Sequence, residues 1–132
     1  YLTELKESVK SLGVEERVIF SGFTKDVNEH IKLCDVTVLA SYKETFGLVV
    51  IESMMNKVCT IATDRGGPLE IIDEGVNGLL FDRTAEDLTG KIEHLYKNPH
   101  IKESLALAGY EKAKREFDYD TQMQKLYDVM QS

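Results

Sequence analysis

The stretch VTVLASYKETFGLVVIE, residues 36–52, passes from an apolar run through a polar loop into a second apolar run. Residues 36–39 are apolar or β-branched, which predicts a buried parallel strand rather than a half-exposed one. The second run, which carries Glu52 as its single charge, predicts a helix that begins near Phe46 or Gly47. A strand, a loop and a helix in this order are typical of one step of a parallel α/β sheet.

Similar steps lie on both sides of this stretch, and the last third of the chain predicts helices only. Four β-rich runs predict strands, at residues 17–20, 36–39, 59–62 and 78–81. Apolar residues at helical spacing predict helices within residues 2–12, 26–33, 88–95, 101–108 and 123–130, with a capping box at 84–87 and a break at Asn98-Pro99. The sequence therefore predicts an α/β fold, a Rossmann-like parallel sheet with flanking helices and a helical C-terminal end.

Composition limits the class of protein. The 132 residues suffice for one domain, residues 1–132, and the net charge of −7 argues against a nucleic-acid or anionic-membrane partner. Cys34 and Cys59 lie far apart without a metal-ligand pattern, so we expect buried thiols in a reducing, cytoplasmic compartment. No metal or cofactor is expected, and Tyr1, inside a helical pattern, suggests a part of a longer chain.

Residues 41–52 are the first candidate for chemistry. In open α/β sheets, ligands bind beyond the carboxyl ends of the strands, where a helix start offers unpaired amides to an anion such as a diphosphate. Gly47 allows close approach of a ligand to the backbone. Glu52 is a lone carboxylate whose burial requires donors, and two ribose hydroxyls would be suitable. An alternative stays open, because Thr45, Val49, Glu52 and Asn56 share one helical stripe that could face solvent.

The next joint, residues 63–70, contains the sequence Gly66-Gly67-Pro68. Paired glycines followed by proline predict a turn that opens a helix with Pro68 as its first residue. This turn could form a second backbone wall of the same crevice. Residues 73–78 predict a turn without a ligand role, and the three histidines are expected at the surface.

Taken in order, these residues resemble the C-terminal, donor-binding domain of the GT-B retaining glycosyltransferases. Glu44 and Glu52 form an E-x7-E pattern within Ser-x-x-Glu-x-Phe-Gly-Leu, and residues 66–70 and 75–81 follow at the expected distances. The resemblance spans essentially the whole chain. It implies that the parent protein transfers a sugar from a nucleotide diphosphate donor to an acceptor hydroxyl, with retention, in polysaccharide or glycolipid synthesis.

The resemblance also implies roles for single residues. Glu44 matches the acidic residue at the donor sugar and reaction centre, and Glu52 matches the residue that holds the ribose hydroxyls. The remaining matched positions contact the sugar, the diphosphate or the surroundings of the nucleobase; they are Phe46, Gly47, Leu48, Gly22, Phe23, Gly66 and Gly67.

Two features depart from the family pattern. Lys57 and Cys59 stand where Gly and Pro are usual, and the cationic pair that neutralises the diphosphate lies upstream of Tyr1 in the family, with the N-terminal acceptor domain. The resemblance thus predicts a partial domain that is inactive alone. In a sheet of order 3-2-1-4-5-6, two absent strands would separate residues 17–20 from residues 36–39, and we expect the fragment to form a homodimer or to close directly.

Two other functions remain open on the sequence. A sugar-nucleotide epimerase of the same fold shares Gly-Gly loops and ribose-binding glutamates. A non-catalytic receiver-like module would need an acidic cluster after its first strand, where this chain has Ser21-Gly22-Phe23.

Overall fold

A computed structural model describes residues 2–22, 25–40, 47–116, 124 and 127–131. Residues 15–17 form one 3-10 turn, and residues 127–131 are helical. The other elements of the described residues are, in chain order, α1 (Leu2–Ser11), α2 (Val27–Lys32), β1 (Val36–Leu39), α3 (Leu48–Met55), β2 (Cys59–Thr63), α4 (Pro68–Ile71), β3 (Leu79–Phe81), α5 (Ala85–Lys97) and α6 (Pro99–Glu116).

The sheet is parallel and its strands follow the order of the sequence, β1-β2-β3. Val36 pairs with Cys59, and Ile61 pairs with Leu79, so that all three strands end at the same edge. This order is the second half of 3-2-1-4-5-6. The predicted strands at 36–39, 59–62 and 78–81 are therefore confirmed.

Helices cover both faces of the sheet, because successive side chains of a strand point to opposite faces. Ala62 packs into a cluster built by α3, α4 and α6, while its neighbour Ile61 packs into a second cluster with α5 and α6. Strand β2 is buried along its whole length. The predicted fold class, a Rossmann-like parallel sheet with flanking helices, is confirmed.

Hydroxyl groups fix the rotation of α3 on the sheet. The Thr37 hydroxyl donates to Ser53 Oγ at 2.8 Å and lies 3.2 Å from Thr60 Oγ1. Ser53 Oγ in turn donates to the Val49 carbonyl. Consecutive helical residues are about 100° apart around the axis. Because Ser53 faces the sheet, the preceding residue, Glu52, lies on the side of α3 that faces α2.

The predicted strand at 17–20 is wrong. Arg17 ends the 3-10 turn, and Val18, Ile19 and Phe20 pair with no strand among the described residues. Ile19 is 89% exposed. A β-rich run becomes a strand only where a neighbouring strand can take its backbone hydrogen bonds, and none of the described strands lies beside it.

The helical predictions are confirmed at their termini. Thr84 Oγ1 accepts from the Asp87 amide at 3.1 Å and caps α5, and Pro99 opens α6 after the break at Asn98. The Asp87 carboxylate accepts from the Asp82 amide rather than from the Thr84 amide, which donates to Asp82, so the second half of the predicted capping box is wrong. Helix α1 forms as predicted but contains no buried residue.

The cysteine prediction is half right. Cys59 is buried in the core at the start of β2, whereas Cys34 is exposed, and both are free thiols. Cys34 follows α2 and precedes β1, where a loop keeps it at the surface. No helix in the described ranges is both long and apolar enough to cross a membrane.

Candidate functional site

The carboxyl ends of the three strands define the candidate site. Leu39, Thr63 and Phe81 are the last strand residues, and the Asp64 amide donates to the Phe81 carbonyl at 3.0 Å just beyond this edge. The loop from β1 to α3 contains Glu44 and Phe46, both of which lie outside the described residues. The part of the site that can be described therefore consists of the starts of α3 and α4 and the groove between α2 and α3.

The starts of α3 and α4 lie against each other. Gly47 is the N-cap of α3 with φ +63°, a left-handed conformation that favours glycine. A Cβ placed on Gly47 would lie 2.7 Å from Ile71 Cδ1 and 3.6 Å from the carbonyl carbon of Gly67. Glycine at position 47 therefore lets the two βα joints approach closely.

Gly47, the N-cap residue of α3, has no side chain with which to cap the helix. The first amides of a helix have no intrahelical partner and carry a partial positive charge, which favours an anion. Leu48, the first residue of α3, is half-buried at this point. The arrangement suits a group with negative charge that approaches along the axis of α3.

The Gly66-Gly67 turn forms the other side of this junction, and the prediction that it opens a helix is confirmed. Gly66 adopts φ +68° and is exposed, Gly67 is buried, and Pro68 begins α4. The buried ammonium of Lys112 donates to the Ile71 carbonyl at 2.7 Å and lies 3.3 Å from Asp73 Oδ2. Lys112 thus holds the end of α4 against α6.

Glu52 is half-buried and faces α2. It lines a cavity of 390 Å³ together with residues 25–29, the start of α2 and the loop before it. Burial raises the pKa of the Glu52 carboxyl above its ordinary value. The alternative of a plainly solvated stripe therefore does not hold for Glu52, although Val49 on the same stripe is exposed.

Polar side chains join α2 to α3 beside Glu52. Asn56 Nδ2 donates to Asn28 Oδ1 at 2.9 Å and to the Glu52 carbonyl at 2.8 Å. Lys32 pairs with Glu29 at 3.1 Å. Sequence reasoning missed Lys25, Asn28 and Asn56 as part of this groove; the helical stripe shared by Glu52 and Asn56 was the one available signal.

Two buried polar atoms at the end of β2 form no hydrogen bond within the part of the chain that the structure describes. They are Thr63 Oγ1 and Asp64 Oδ1. Asp64 Oδ1 lies 3.6 Å from Arg65 Nε, an ion-pair contact that is longer than a hydrogen bond. Groups of this kind are rare in native proteins and mark places where water or a ligand completes the bonding.

The nucleobase loop predicted from the sequence is described only in part. Gly22 is exposed with φ +68°, and a Cβ added there would meet no atom within 4 Å. Phe23 lies outside the described residues. Within the described ranges, no three His, Cys, Asp or Glu side chains are grouped so that they could hold a metal ion.

A family model, "Glycosyl transferases group 1", matches residues 1–114. A putative glycosyltransferase of Bacillus subtilis, EpsD, is 38% identical over 109 residues, which are 80% of this chain and 28% of the relative. The mannosylfructose-phosphate synthase of Agrobacterium fabrum is 33% identical over 98% of this chain and 29% of its own length. The chain thus spans less than a third of the length of these relatives.

Solved structures resemble the fold over nearly the whole chain. Anabaena Alr3699/HepE was solved in complex with UDP-glucose. Its match covers 99% of this chain and 36% of the Anabaena chain, with a TM-score of 0.89 at 28% identity. A second match is the C-terminal domain of LpcC, a group 1 glycosyl transferase from Francisella tularensis. The match covers 89% of this chain and 62% of the LpcC chain, with a TM-score of 0.81 at 32% identity.

Proposed function

The chain belongs to the family of group 1 glycosyl transferases, and from this premise we propose that it is the donor-binding part of a glycosyltransferase that uses a nucleotide-diphosphate sugar. The observation that carries the proposal is the half-buried Glu52 carboxylate in the cavity between α2 and α3. A buried carboxylate is stabilised by hydrogen-bond donors, and the two vicinal hydroxyls of a ribose supply them.

The charges around the cavity favour the nucleoside there rather than the phosphates. Among the described residues, Glu52, Asp26, Glu29 and Lys25 line it, and Lys32 pairs with Glu29. Three carboxylates and two ammonium groups leave an excess of one negative charge, which disfavours a diphosphate there, whereas a ribose and a base are neutral. The start of α3 at Gly47 is the better place for the diphosphate, because its amides attract an anion.

The sugar end of the donor rests on the resemblance. Glu44 is proposed as the catalytic residue at the transferred sugar, with Phe46, Gly47 and Leu48 against the sugar and the diphosphate, and retention of configuration as the outcome. Gly66 and Gly67 form the facing wall, and Gly22 and Phe23 border the base. Phosphate charge is met by helix amides and cationic side chains, without a metal or a further cofactor.

The acceptor side of the reaction is proposed to belong to an N-terminal domain. The relatives are about three times as long as this chain, and an acceptor hydroxyl must reach the transferred sugar from the open side of the crevice. The two free thiols support a reducing, cytoplasmic location as part of the same proposal.

The family match and the UDP complexes of similar structures support the transferase over the two alternatives. An epimerase would convert its sugar nucleotide without an acceptor, so a product that requires an added acceptor distinguishes the two. A receiver-like module would respond to a phosphate analogue with magnesium and not to nucleoside diphosphates.

Replacing Glu52 by alanine in the full-length protein is expected to weaken the binding of free nucleoside diphosphate by about 1–3 kcal/mol. The lost interaction is a charge-assisted hydrogen bond to ribose, which does not depend on the sugar. Isothermal titration calorimetry with UDP, GDP and ADP measures the effect.

The control is Glu93→Ala, which removes an exposed carboxylate from α5, away from the cavity. It should leave the affinity unchanged. Unchanged affinity in Glu52→Ala as well would remove Glu52 from the proposed site.

Glu52→Gln is expected to raise thermal stability at neutral pH. Burial raises the pKa of Glu52, so the fold favours the protonated form, and that contribution is lost as the pH rises through the folded-state pKa. The uncharged side chain avoids this loss, and its advantage should shrink below the pKa. Thermal melts of both proteins from acid to neutral pH measure it; an advantage that grows toward acid would contradict the burial.

We also propose that the 132-residue chain associates into a homodimer through the open edge of β1. Val38 is 41% exposed at this edge, and it lines a cavity of 710 Å³ with the apolar residues Leu33, Ile92 and Tyr96. Among the described residues the outer edge of β1 pairs with no strand, and apolar surface beside such an edge favours pairing with a second copy.

Light scattering at micromolar concentration tests this association. Twice the mass of one chain is expected, and Val38→Lys should shift the equilibrium to the monomer, because a charge would then enter the apolar contact. A folded monomer of the unmodified chain would contradict the dimer.

A further inference from the structure

Asn56 connects the backbone of Glu52 to the opposite wall of its cavity. The residue caps the C terminus of α3, and its Nδ2 donates both to the Glu52 carbonyl at 2.8 Å and to Asn28 Oδ1 at 2.9 Å. Asn28 belongs to α2 and lines the cavity, as Glu52 does. One amide group thus touches both helices that form the groove.

The backbone carbonyl of Glu52 determines which way the two amides point. A carbonyl can only accept, so the Asn56 atom beside it is the NH₂ group, and the Asn28 atom that receives its second hydrogen bond is the carbonyl oxygen. Because Asn56 donates and Asn28 accepts, Asn28→Asp keeps the hydrogen bond, whereas Asn56→Asp removes its donor.

Helix α2 is six residues long, and in the described part of the chain Ile31 is its single buried residue. An isolated helix of this length is unstable, so its position depends on the contacts it makes with the rest of the fold. The Asn28–Asn56 hydrogen bond is the side-chain hydrogen bond between α2 and α3 in the described part of the chain, and it lies at the end of α2 that faces the cavity.

We propose that Asn56 is a positioning residue for the nucleoside, which holds the first turn of α2 at the distance from Glu52 that a bound nucleoside requires. This inference rests on the proposed function of the Glu52 cavity. Asn56 acts through the two helices and need not touch the ligand.

Helix α5 supplies a matched control. Asn98 follows α5 as Asn56 follows α3, and its Nδ2 donates to the His94 carbonyl at 2.8 Å, with the same spacing of four residues. Asn98 does not line the cavity of Glu52. Asn98→Asp therefore removes the same kind of helix-end hydrogen bond at a remote place.

Calorimetry first measures the affinity of the full-length protein for UDP, GDP and ADP. The nucleotide that binds most tightly is then titrated into each variant. Asn56→Asp and Asn28→Ala both remove the contact and should weaken binding about 3- to 10-fold, the factor that one ordinary hydrogen bond corresponds to. Asn98→Asp adds the same charge away from the cavity, so it should change affinity less than about twofold.

Thermal melts separate positioning from a general loss of stability. Of Asn56→Asp and Asn98→Asp, only Asn56→Asp should weaken nucleotide binding. Asn98→Asp should lower the melting temperature by no more than Asn56→Asp, because Asn98 also precedes α6, whose N terminus favours a carboxylate. Equal affinities for Asn56→Asp and Asn98→Asp, or for Asn56→Asp and the unmodified protein, would overturn the inference while the proposed function stands. An unmodified protein that binds none of the three nucleotides would overturn both.

Discussion

Replacing Glu44 by alanine in the full-length protein is expected to lower kcat by about 100- to 1000-fold, the loss typical of one charged or polar group that stabilises a transition state. The proposed partner of Glu44 is the transferred sugar, so the affinity for free nucleoside diphosphate should stay nearly unchanged. An interaction that strengthens in the transition state affects turnover rather than ground-state binding. Steady-state kinetics with the natural donor and calorimetry with the free nucleotide provide the two readouts.

Glu52→Ala is the control for this division of roles, since it should weaken binding of the free nucleotide. Equal losses of nucleotide affinity in Glu44→Ala and Glu52→Ala would mean that both residues bind the nucleotide. A Glu44→Ala protein with unchanged kcat would remove Glu44 from the reaction.

Replacing Gly47 by alanine is expected to destabilise the fold through two separate effects. A non-glycine residue at φ +63° costs about 1–2 kcal/mol. The new Cβ would also lie 2.7 Å from Ile71 Cδ1, inside the core, and overpacking of this kind costs about 1–3 kcal/mol. Chemical denaturation of the two proteins measures the sum.

Gly13→Ala separates the two effects, because Gly13 has φ +69° and open space where its Cβ would lie. It should show the conformational cost alone. Ile71→Val removes the clashing methyl group, so Gly47→Ala should cost less in that background than in the unmodified protein. Equal costs of Gly47→Ala and Gly13→Ala would contradict the close contact between the two βα joints.

Most of the sheet could be predicted from local sequence, and its edge could not. Residues 36–39 and 59–62 carry their apolar character within a few positions, and both form strands. Strand β2 is buried as predicted, whereas β1 contains no buried residue and exposes Val38. Residues 17–20 have a similar composition but form no strand among the described residues. Strand formation needs a neighbour, and composition says nothing about whether one is in reach.

Part of the candidate site could likewise be predicted from local sequence, and part of it depends on how the helices pack. The Gly66-Gly67-Pro68 turn and the start of α3 follow from short-range rules for glycine and proline, and the structure confirms both. The helical stripe left the environment of Glu52 undecided, and its half-burial against residues 25–29 decides it. That wall lies more than twenty residues upstream, so the contact depends on how α2 and α3 pack.

The most direct measurement is a crystal structure of the full-length protein with the nucleoside diphosphate that binds most tightly. We expect the ribose hydroxyls within hydrogen-bond distance of the Glu52 carboxylate, the base toward residues 25–29, and the diphosphate at the start of α3 beside Gly47. A nucleotide bound at another place, or one whose phosphates lie in the Glu52 cavity, would contradict this expectation.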